Sequence, residues 1–590
     1  MQQLKSFYSE KITTNQQQLS NIKEQLLGSS MLRLAIFILG AVGVYMFHES
    51  LNLAIAILAV TLIVFLFFVS RHTDLQYKKD KLKAIIAINE TELKVLDRDF
   101  DDLSNGNEFK NPLHYFSQDI DLFGKGSFYQ YSNRTVLPQG SETLANLFTE
   151  NSIHGILEKQ EAIKELSKLT DWRQEFSAIA SLVKTETHYK AILNWLSRYE
   201  RFLPKSMKIM PYVFGSISLL AIIGFFVIPL SIFVVLLVFL VGLGITGIFV
   251  KKINKLSSDT GRIQTTFQQY QKLILEIETI DFNSELLKEK KNAITNTNVK
   301  ASKVLHEFSR ILGALDQRNN ILFGIFANGF LLWDIYQSYK IENWITKHGS
   351  KVEKWFETIA FLDAYNSLGN FAYNHPDYVF PTLNATDSIL KSEGAGHPLL
   401  NPEKSVLNNI QIAKEQFFII TGANMAGKST FLRTVSLQIV MANIGLPVCA
   451  KMIEYSPIKL ITSMRTTDSL TDDESYFFSE LKRLRFIVDE IKTDRYFIVL
   501  DEILKGTNST DKAIGSRKFV EKLIGSKATG IIATHDLSLC EAANDLRQIE
   551  NHYFDAEIVN SELYFDYKFK DGICQNMNAS FLLKKMGIVD

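Results

Sequence analysis

Within the stretch QFFIITGANMAGKSTF at 416–431, Gly422, Gly427, Lys428 and Ser429 stand in the order Gly-x-x-x-x-Gly-Lys-Ser. That spacing suits phosphate. The glycines let backbone N–H groups close on phosphate oxygens, the lysine reaches the β- and γ-phosphates, and the serine hydroxyl ligates Mg²⁺. Gly422, Asn424, Met425, Ala426, Gly427, Lys428, Ser429 and Thr430 are therefore the expected nucleotide-binding set. A second apolar run, YFIVL at 496–500, ends in Asp501-Glu502. There Asp501 would share Mg²⁺ with Ser429, and Glu502 would polarise an attacking water. A third run, GIIAT at 530–534, ends at His535, in place to sense the γ-phosphate. ATP with Mg²⁺ is the ligand pair these residues imply, and Glu502 and His535 are the expected catalytic pair.

Such residues need a sheet to carry them. Each of the three runs reads as a buried strand, and ligands of open α/β sheets bind beyond the strands' carboxyl ends. The segment after the glycine loop, 429–443, reads as a helix whose N-terminus faces the anion. The polar linker SLTDDESY at 469–476 precedes another helix, 477–491. Ser475, at that helix's start, is either a plain N-cap or a donor to an anion. An anion on a neighbouring subunit would make it a switch between subunits. Val406 and Leu407, ahead of the loop, are candidates for adenine contacts.

The rest of the chain has a different character. Of 590 residues, 46% are hydrophobic, and 64 basic side chains balance 64 acidic ones. A net charge of zero argues against nucleic-acid binding through a bulk positive field. Three scattered cysteines fit neither a metal site nor a disulfide framework, and read as reduced thiols. Apolar runs at 31–47 and 51–69 are separated only by His48, Glu49 and Ser50, and two more, 209–228 and 231–250, meet near Pro229. Each is close to the ~20 residues needed to cross hydrocarbon, so four transmembrane helices in two hairpins are expected. They begin after residue 30 with no small-residue cleavage site, so they read as anchors rather than a removed signal. Lysines and arginines flank both hairpins and neither turn contains one. That asymmetry places all but the turns in the cytoplasm, on an inner (cytoplasmic) membrane crossed several times. A shorter run, 321–333, contains Asn328 and reads as a core helix.

Between the hairpins the chain reads as helical. Residues 72–104 have a one-sided apolar stripe (Ile86, Leu93, Leu96, Phe100, Leu103), as do 251–292 (Ile263, Phe267, Tyr270, Ile274, Ile277). Both stripes fit either stalks rising from the membrane or ordinary packing in a helical domain.

TGANMAGKST, LDEILKGTNSTD and IIATHD together resemble the ATPase domain of the MutS family, which belongs with the ABC-type, dimer-sandwich ATPases. Ala423 and Ala426 depart from the Pro and Gly usual in that loop. GHPLL at 396–400 resembles the family's entry to this domain, the stretch before Ser475 resembles its trans-acting serine segment, and 568–588 its C-terminal helical closure. Upstream, about 110–206 and 300–390 resemble the family's all-α core, or lever. The resemblance implies an α/β P-loop ATPase domain at 391–590 and a lever divided between 71–206 and 251–390, while the apolar runs place hairpins at 31–70 and 207–250 after a cytoplasmic helix at 1–30. It also implies a homodimer with composite sites, each joining one subunit's loop and acid pair to Ser475 of the partner subunit. The first hairpin takes the place of a mismatch-reading domain, and the second sits where the family's DNA clamp interrupts the core. Two functions follow as expectations: a membrane-anchored dimeric ATPase that moves its levers on mismatched or branched DNA, or a mechanical or signalling ATPase at the membrane that binds no DNA. The spans carry almost no polar residues to line a path, so transport ranks behind both.

Overall fold

Two helices of unusual length begin the chain, α1 (Gln2–Met46) and α2 (Leu51–Leu96). The computed structural model describes residues 1–183, 188–228, 230–261, 263–295, 299–384, 387–465, 476–559, 562–575 and 588. Pro229 and Ser475 lie outside them. At ~1.5 Å per residue each of the first two helices is about 70 Å long, over twice the thickness of a bilayer's hydrocarbon. Their distal halves are apolar and uncovered, while their proximal halves pack on the rest of the protein. Small residues bring the pair close: a Cβ on Gly40 would meet Thr61 Cγ2 at 2.3 Å. The proximal end is tied down by polar contacts. Tyr8 donates to Asn374 Oδ1 at 2.6 Å, and the buried Glu92 carboxylate receives Arg134 Nε at 2.6 Å.

The second hairpin is α8 (Met210–Val227) and α9 (Ile232–Gly261). All four helices are long and apolar enough to cross a membrane. The helical domain also contains α3 (Phe128–Ser132), α4 (Pro138–Thr149), α5 (Ile156–Lys168), α6 (Thr170–Ser181) and α7 (Tyr189–Ser197). It is completed by α10 (Gln264–Thr279), α11 (Glu285–Thr295), α12 (Ala301–Asp316), α13 (Ile321–Leu331) and α14 (Trp333–Asn374).

Three expectations change here. The first stripe is not one helix over 72–104: α2 ends at Leu96, where Arg98 adopts a left-handed φ of 65°. Phe100 and Leu103 therefore lie beyond the helix and pack separately on the core. The segment 251–292 is not one helix either: α9 ends at Gly261, α10 carries the stripe from Gln264 to Thr279, and α11 starts at Glu285. Ile263, Phe267, Tyr270, Ile274 and Ile277 are all buried in the helical core, so this stretch packs as a domain rather than rising as a free stalk. Third, α13 is not a core helix: most of its large apolar side chains face outward.

The 42-residue α14 is the spine of the helical domain. Its buried Asp363 accepts from the N–H groups of Val136 (3.2 and 3.1 Å) and Leu137 (2.9 Å), two donors just ahead of α4. A Cβ at Gly140, in the first turn of α4, would sit 2.0 Å from Asp363 Oδ2, which explains the glycine. Burial pushes the Asp363 carboxyl up to about 7, against the pull of those two N–H groups. An acid with a higher pKa folded than unfolded holds its proton better in the fold, so stability falls as pH rises from its unfolded to its folded pKa. The apparent Tm should therefore drop by several degrees between about pH 4 and about pH 7. Asp363→Asn, which keeps an acceptor for both N–H groups, should flatten that slope in differential scanning calorimetry.

The C-terminal domain pairs two sheets. One, ordered β1-β5-β2-β3, comprises β1 (Thr382–Leu383), β2 (Ser388–Ala395), β3 (Asn408–Ala413) and β5 (Met452–Tyr455). The other is ordered β12-β9-β4-β8-β7-β6. It contains β4 (Phe417–Gly422), β6 (Lys459–Ser463), β7 (Tyr496–Asp501), β8 (Thr529–Ala533), β9 (Ile549–Phe554) and the edge strand β12 (Lys570–Asp571). Its pairings are parallel except β12 on β9. β4, β7 and β8 are buried almost throughout, as expected of a parallel sheet covered on both faces. Helices α15 (Lys428–Asn443), α16 (Tyr476–Glu490), α17 (Ser509–Gly525) and the short α18 (Ala542–Asp545) flank it, and β10 (Glu557–Val559) and β11 (Glu562–Tyr564) form a small hairpin. The expected helical closure at 568–588 begins instead with the edge strand β12, and its remainder at 576–587 lies outside the described residues.

The helical and α/β domains are bolted together at β6. Asp119 accepts from Thr462 Oγ1 at 2.5 Å and from the Arg465 N–H at 2.9 Å, and the Arg465 guanidinium forks onto Asp121 at 2.6 and 2.7 Å.

Candidate functional site: a phosphate-binding cleft

Register places the chemistry. Ile420 of β4 and Asp501 of β7 both pair with Ala533 of β8, so three carboxyl ends finish side by side. From β4 the chain turns through Gly422 (φ 147°), Met425 (φ 67°) and Gly427 (φ 105°) into α15. A Cβ on Gly422 would strike the Phe554 carbonyl oxygen at 2.5 Å, so only glycine leaves room there. Gly427 is the N-cap, and Lys428 and Ser429 open the helix as expected from the sequence.

Lys428, Ser429, Asp501, Glu502 and His535 form one connected group. The Ser429 hydroxyl donates to Asp501 Oδ2 at 2.7 Å. Lys428 Nζ donates to the carbonyls of Gly422 (2.7 Å) and Ala423 (3.0 Å) and lies 3.2 Å from His535 Nε2. The same Nε2 stands 3.0 Å from Glu502 Oε1. Protonated there, the ring donates to Glu502; in the other tautomer it accepts from Lys428. Burial lowers the Lys428 pKa, opposed by Asp501 and Glu502, and burial raises that of Asp501, opposed by Ser429. The His535 hydrogen bond holds the Glu502 carboxyl down at about 2. Glu502 is thus a firm anion, suited to orienting a water rather than keeping its proton.

Glu502 itself is strained, with a left-handed φ of 50°, as is Leu504 at 59°. Such a backbone persists only where its surroundings hold it. The Glu502 N–H donates to the Ala533 carbonyl at 2.9 Å, and the buried Glu480 carboxylate accepts from the N–H groups of Leu504 (2.6 Å) and Lys505 (3.1 Å). Glu480 was not legible as a site residue. In the sequence it is one more acid on an amphipathic helix, and only the tertiary fold brings it under the strained turn.

Beside this group opens a cleft of about 440 Å³. Ala423, Asn424, Met425, Gly427, Lys428, Ser429, Thr430 and Glu502 reach it, whereas Ala426 is fully buried behind the loop. Of the two adenine candidates, Val406 lines the cleft but Leu407 does not; its side chain packs towards Gly394 and Gly396. His397 and Tyr567 form walls that the motifs did not single out. The GHPLL stretch held the signal for His397. For Tyr567, brought in from 159 residues beyond Asn408, with which its carbonyl bonds, there was none.

The paired Ser429 hydroxyl and Asp501 carboxylate are hard oxygen donors of the kind Mg²⁺ takes. Among the described residues no cluster of three His, Cys, Asp or Glu side chains forms a protein-only metal cage. Mg²⁺ bound through one carboxylate, a hydroxyl and nucleotide phosphates needs none.

Comparison with known proteins agrees with this geometry. Residues 418–584 match the family model for MutS domain V, an ATPase domain. Over 251 residues the chain is 33% identical to MutS protein homolog 4 of Homo sapiens, covering 40% of this chain and 26% of that protein. It is 30% identical over 293 residues to the DNA mismatch repair protein MutS of Finegoldia magna, covering 48% and 32%. For the DNA mismatch repair protein MutS of Clostridium botulinum (strain 657) the values are 28% over 266 residues, 43% and 27%. The match thus spans 26–32% of the length of these relatives. Over residues 418–584 the chain thus carries the ATPase domain of the MutS family, domain V.

Proposed function

We propose that this protein is a membrane-anchored, homodimeric MutS-type ATPase that couples ATP binding and hydrolysis to movement of its helical core on DNA. The observation that carries the reading is the connected group of Lys428, Ser429, Asp501, Glu502 and His535 at the end of a sheet whose edge strand is bolted to that core. Lys428 would exchange its two loop carbonyls for β- and γ-phosphate oxygens. Ser429 and Asp501 would hold Mg²⁺, which neutralises charge developing on the phosphates. Glu502 would orient the attacking water and His535 would contact the γ-phosphate. Ser475 of the partner subunit would complete the site across the dimer. The segment carrying Ser475 follows Arg465 in sequence, and the contacts of Arg465 with Asp119 and Asp121 would link closure of the dimer to the core. The apolar hairpins would hold the protein on the cytoplasmic face of the inner membrane.

DNA as cargo is supported by the relatives named as mismatch repair proteins. A second reading, a mechanical or signalling ATPase at the membrane that ignores DNA, is favoured by the balanced charge and by apolar helices at 31–70 and 209–250. ATP hydrolysis by the detergent-solubilised full chain with duplex, mismatched and branched DNA across a salt series separates the two. Stimulation that fades with salt supports DNA as cargo. A rate indifferent to every DNA at every salt concentration removes it.

A further inference from the structure

We propose that α13 is a third membrane element, a re-entrant half-helix that dips into the cytoplasmic leaflet beside α8 and α9 and turns its outer face to lipid acyl chains. The inference rests on the membrane reading of α8 and α9. Residues 320–333, NILFGIFANGFLLW, contain no charge. With 11 residues, α13 rises only about 16 Å, roughly half the hydrocarbon thickness, so it enters without crossing. Its outer face is apolar and uncovered: Ile321 is 74% exposed, Leu322 70% and Phe326 58%. A helix in a water-facing domain would bury that face.

The inner face is small, as in helices that meet within lipid. Gly324, Ala327, Asn328 and Gly329 are buried. A Cβ on Gly242 of α9 would lie 2.2 Å from the Gly329 carbonyl oxygen, and one on Gly215 of α8 would lie 3.6 Å from Leu331 Cδ2. The Phe239 ring packs at a tilt against this seam, 5.1 Å from Phe330 and 6.1 Å from Phe326. Gly242 lies nine residues before Lys251, the first charge of α9, which sets the seam about 13 Å inside the apolar part of that helix.

A backbone turn at that depth is tolerated only if its polar groups are paired within the protein. Several are paired here. Asn320 Oδ1 caps the Phe323 N–H, and the chain reverses at Leu332 (φ 51°), whose N–H reaches the Ala327 carbonyl. The Asp334 N–H donates to buried Asn328 Oδ1 at 2.9 Å, and Trp333 Nε1 donates to the Ala314 carbonyl at 2.8 Å. A polar belt marks the entrance. Arg318 bridges Asp334 and Asn254, at 2.8 Å to each, and the hydroxyls of Tyr212 and Tyr336 meet at 3.0 Å. Lipid is the occupant because α13 seats on both α8 and α9, so its outer face extends the same uncovered apolar surface. The reversal leads straight into α14, whose first turn, with Asp334 and Tyr336, joins the polar belt.

The test places spin labels on Leu322→Cys, Phe326→Cys, Val234→Cys and Lys354→Cys in the full chain, in phosphatidylcholine–phosphatidylglycerol vesicles. The wild-type chain serves as blank for the native thiols, and each variant is first shown to keep the wild-type ATPase rate. The expected result is that labels at 322 and 326 match 234, colliding freely with oxygen and several-fold less than 354 with a water-soluble nickel chelate. Nickel access at 322 and 326 equal to that at 354, with 234 still protected, overturns the half-helix and leaves the anchors standing. Shielding of 322 and 326 from both reagents overturns it in favour of a contact between copies. Nickel access at 234 itself overturns both.

Discussion

Glu502→Gln should lower ATP turnover by about 10²- to 10⁴-fold, the range that a positioned acid–base group contributes, while leaving nucleotide binding intact. The amide fills the same volume and can still accept from His535. What disappears is the negative charge that His535 holds in place with a pKa of about 2. Little else should move, because the strained turn is held by the Ala533 carbonyl and by Glu480 rather than by the Glu502 side chain. Steady-state phosphate release and filter binding of labelled ATP, run side by side, check both halves of the expectation. Lost binding together with lost turnover would mean that Glu502 supports the site rather than the water.

Lys428→Ala should abolish nucleotide binding rather than slow a later step. Its ammonium is buried at 6% exposure and is shared between two loop carbonyls and His535. Removing it leaves those carbonyls without their donor, at a cost of about 1–3 kcal/mol. The variant should therefore melt somewhat lower than wild type even without nucleotide. Lys428→Met, which keeps most of the stem, helps separate lost packing from lost charge. In wild type, ATP at 100 times its Kd should stabilise the fold by about 2.7 kcal/mol; neither variant should show a nucleotide-dependent rise in Tm. A full rise in Lys428→Met would show that the backbone loop alone binds the phosphates.

What was legible in advance divides along a physical line. The cradle, the acid pair and His535 are read from contiguous residues, because a phosphate turn and a strand end are local structures. The strands carrying them are equally local, as uniformly apolar runs. Glu480 and Asp119 act through contacts with residues distant in sequence, and no local pattern distinguishes them from surface acids. The second stripe shows a related limit. Ile263 to Ile277 all belong to α10 and its N-cap, so their periodicity carries no sign of the break from α9 just before them. For α13 the ambiguity lies in length: the short apolar run at 321–333 reads equally as a core helix, and only its surroundings show that the face is uncovered. Val406 and Leu407 adjoin in sequence, yet only one reaches the cleft.

One polypeptide carrying both an ATPase and its own membrane anchor would keep the two together through a wash that strips peripheral proteins. Membranes from cells expressing the full chain, washed with alkaline carbonate and assayed for Mg²⁺-dependent ATP hydrolysis beside membranes carrying Glu502→Gln, test it most directly. The protein should stay in the pellet through the wash, and the hydrolysis lost on Glu502→Gln should stay with it. Release of the intact protein into the carbonate supernatant, or equal hydrolysis in the two pellets, would contradict it.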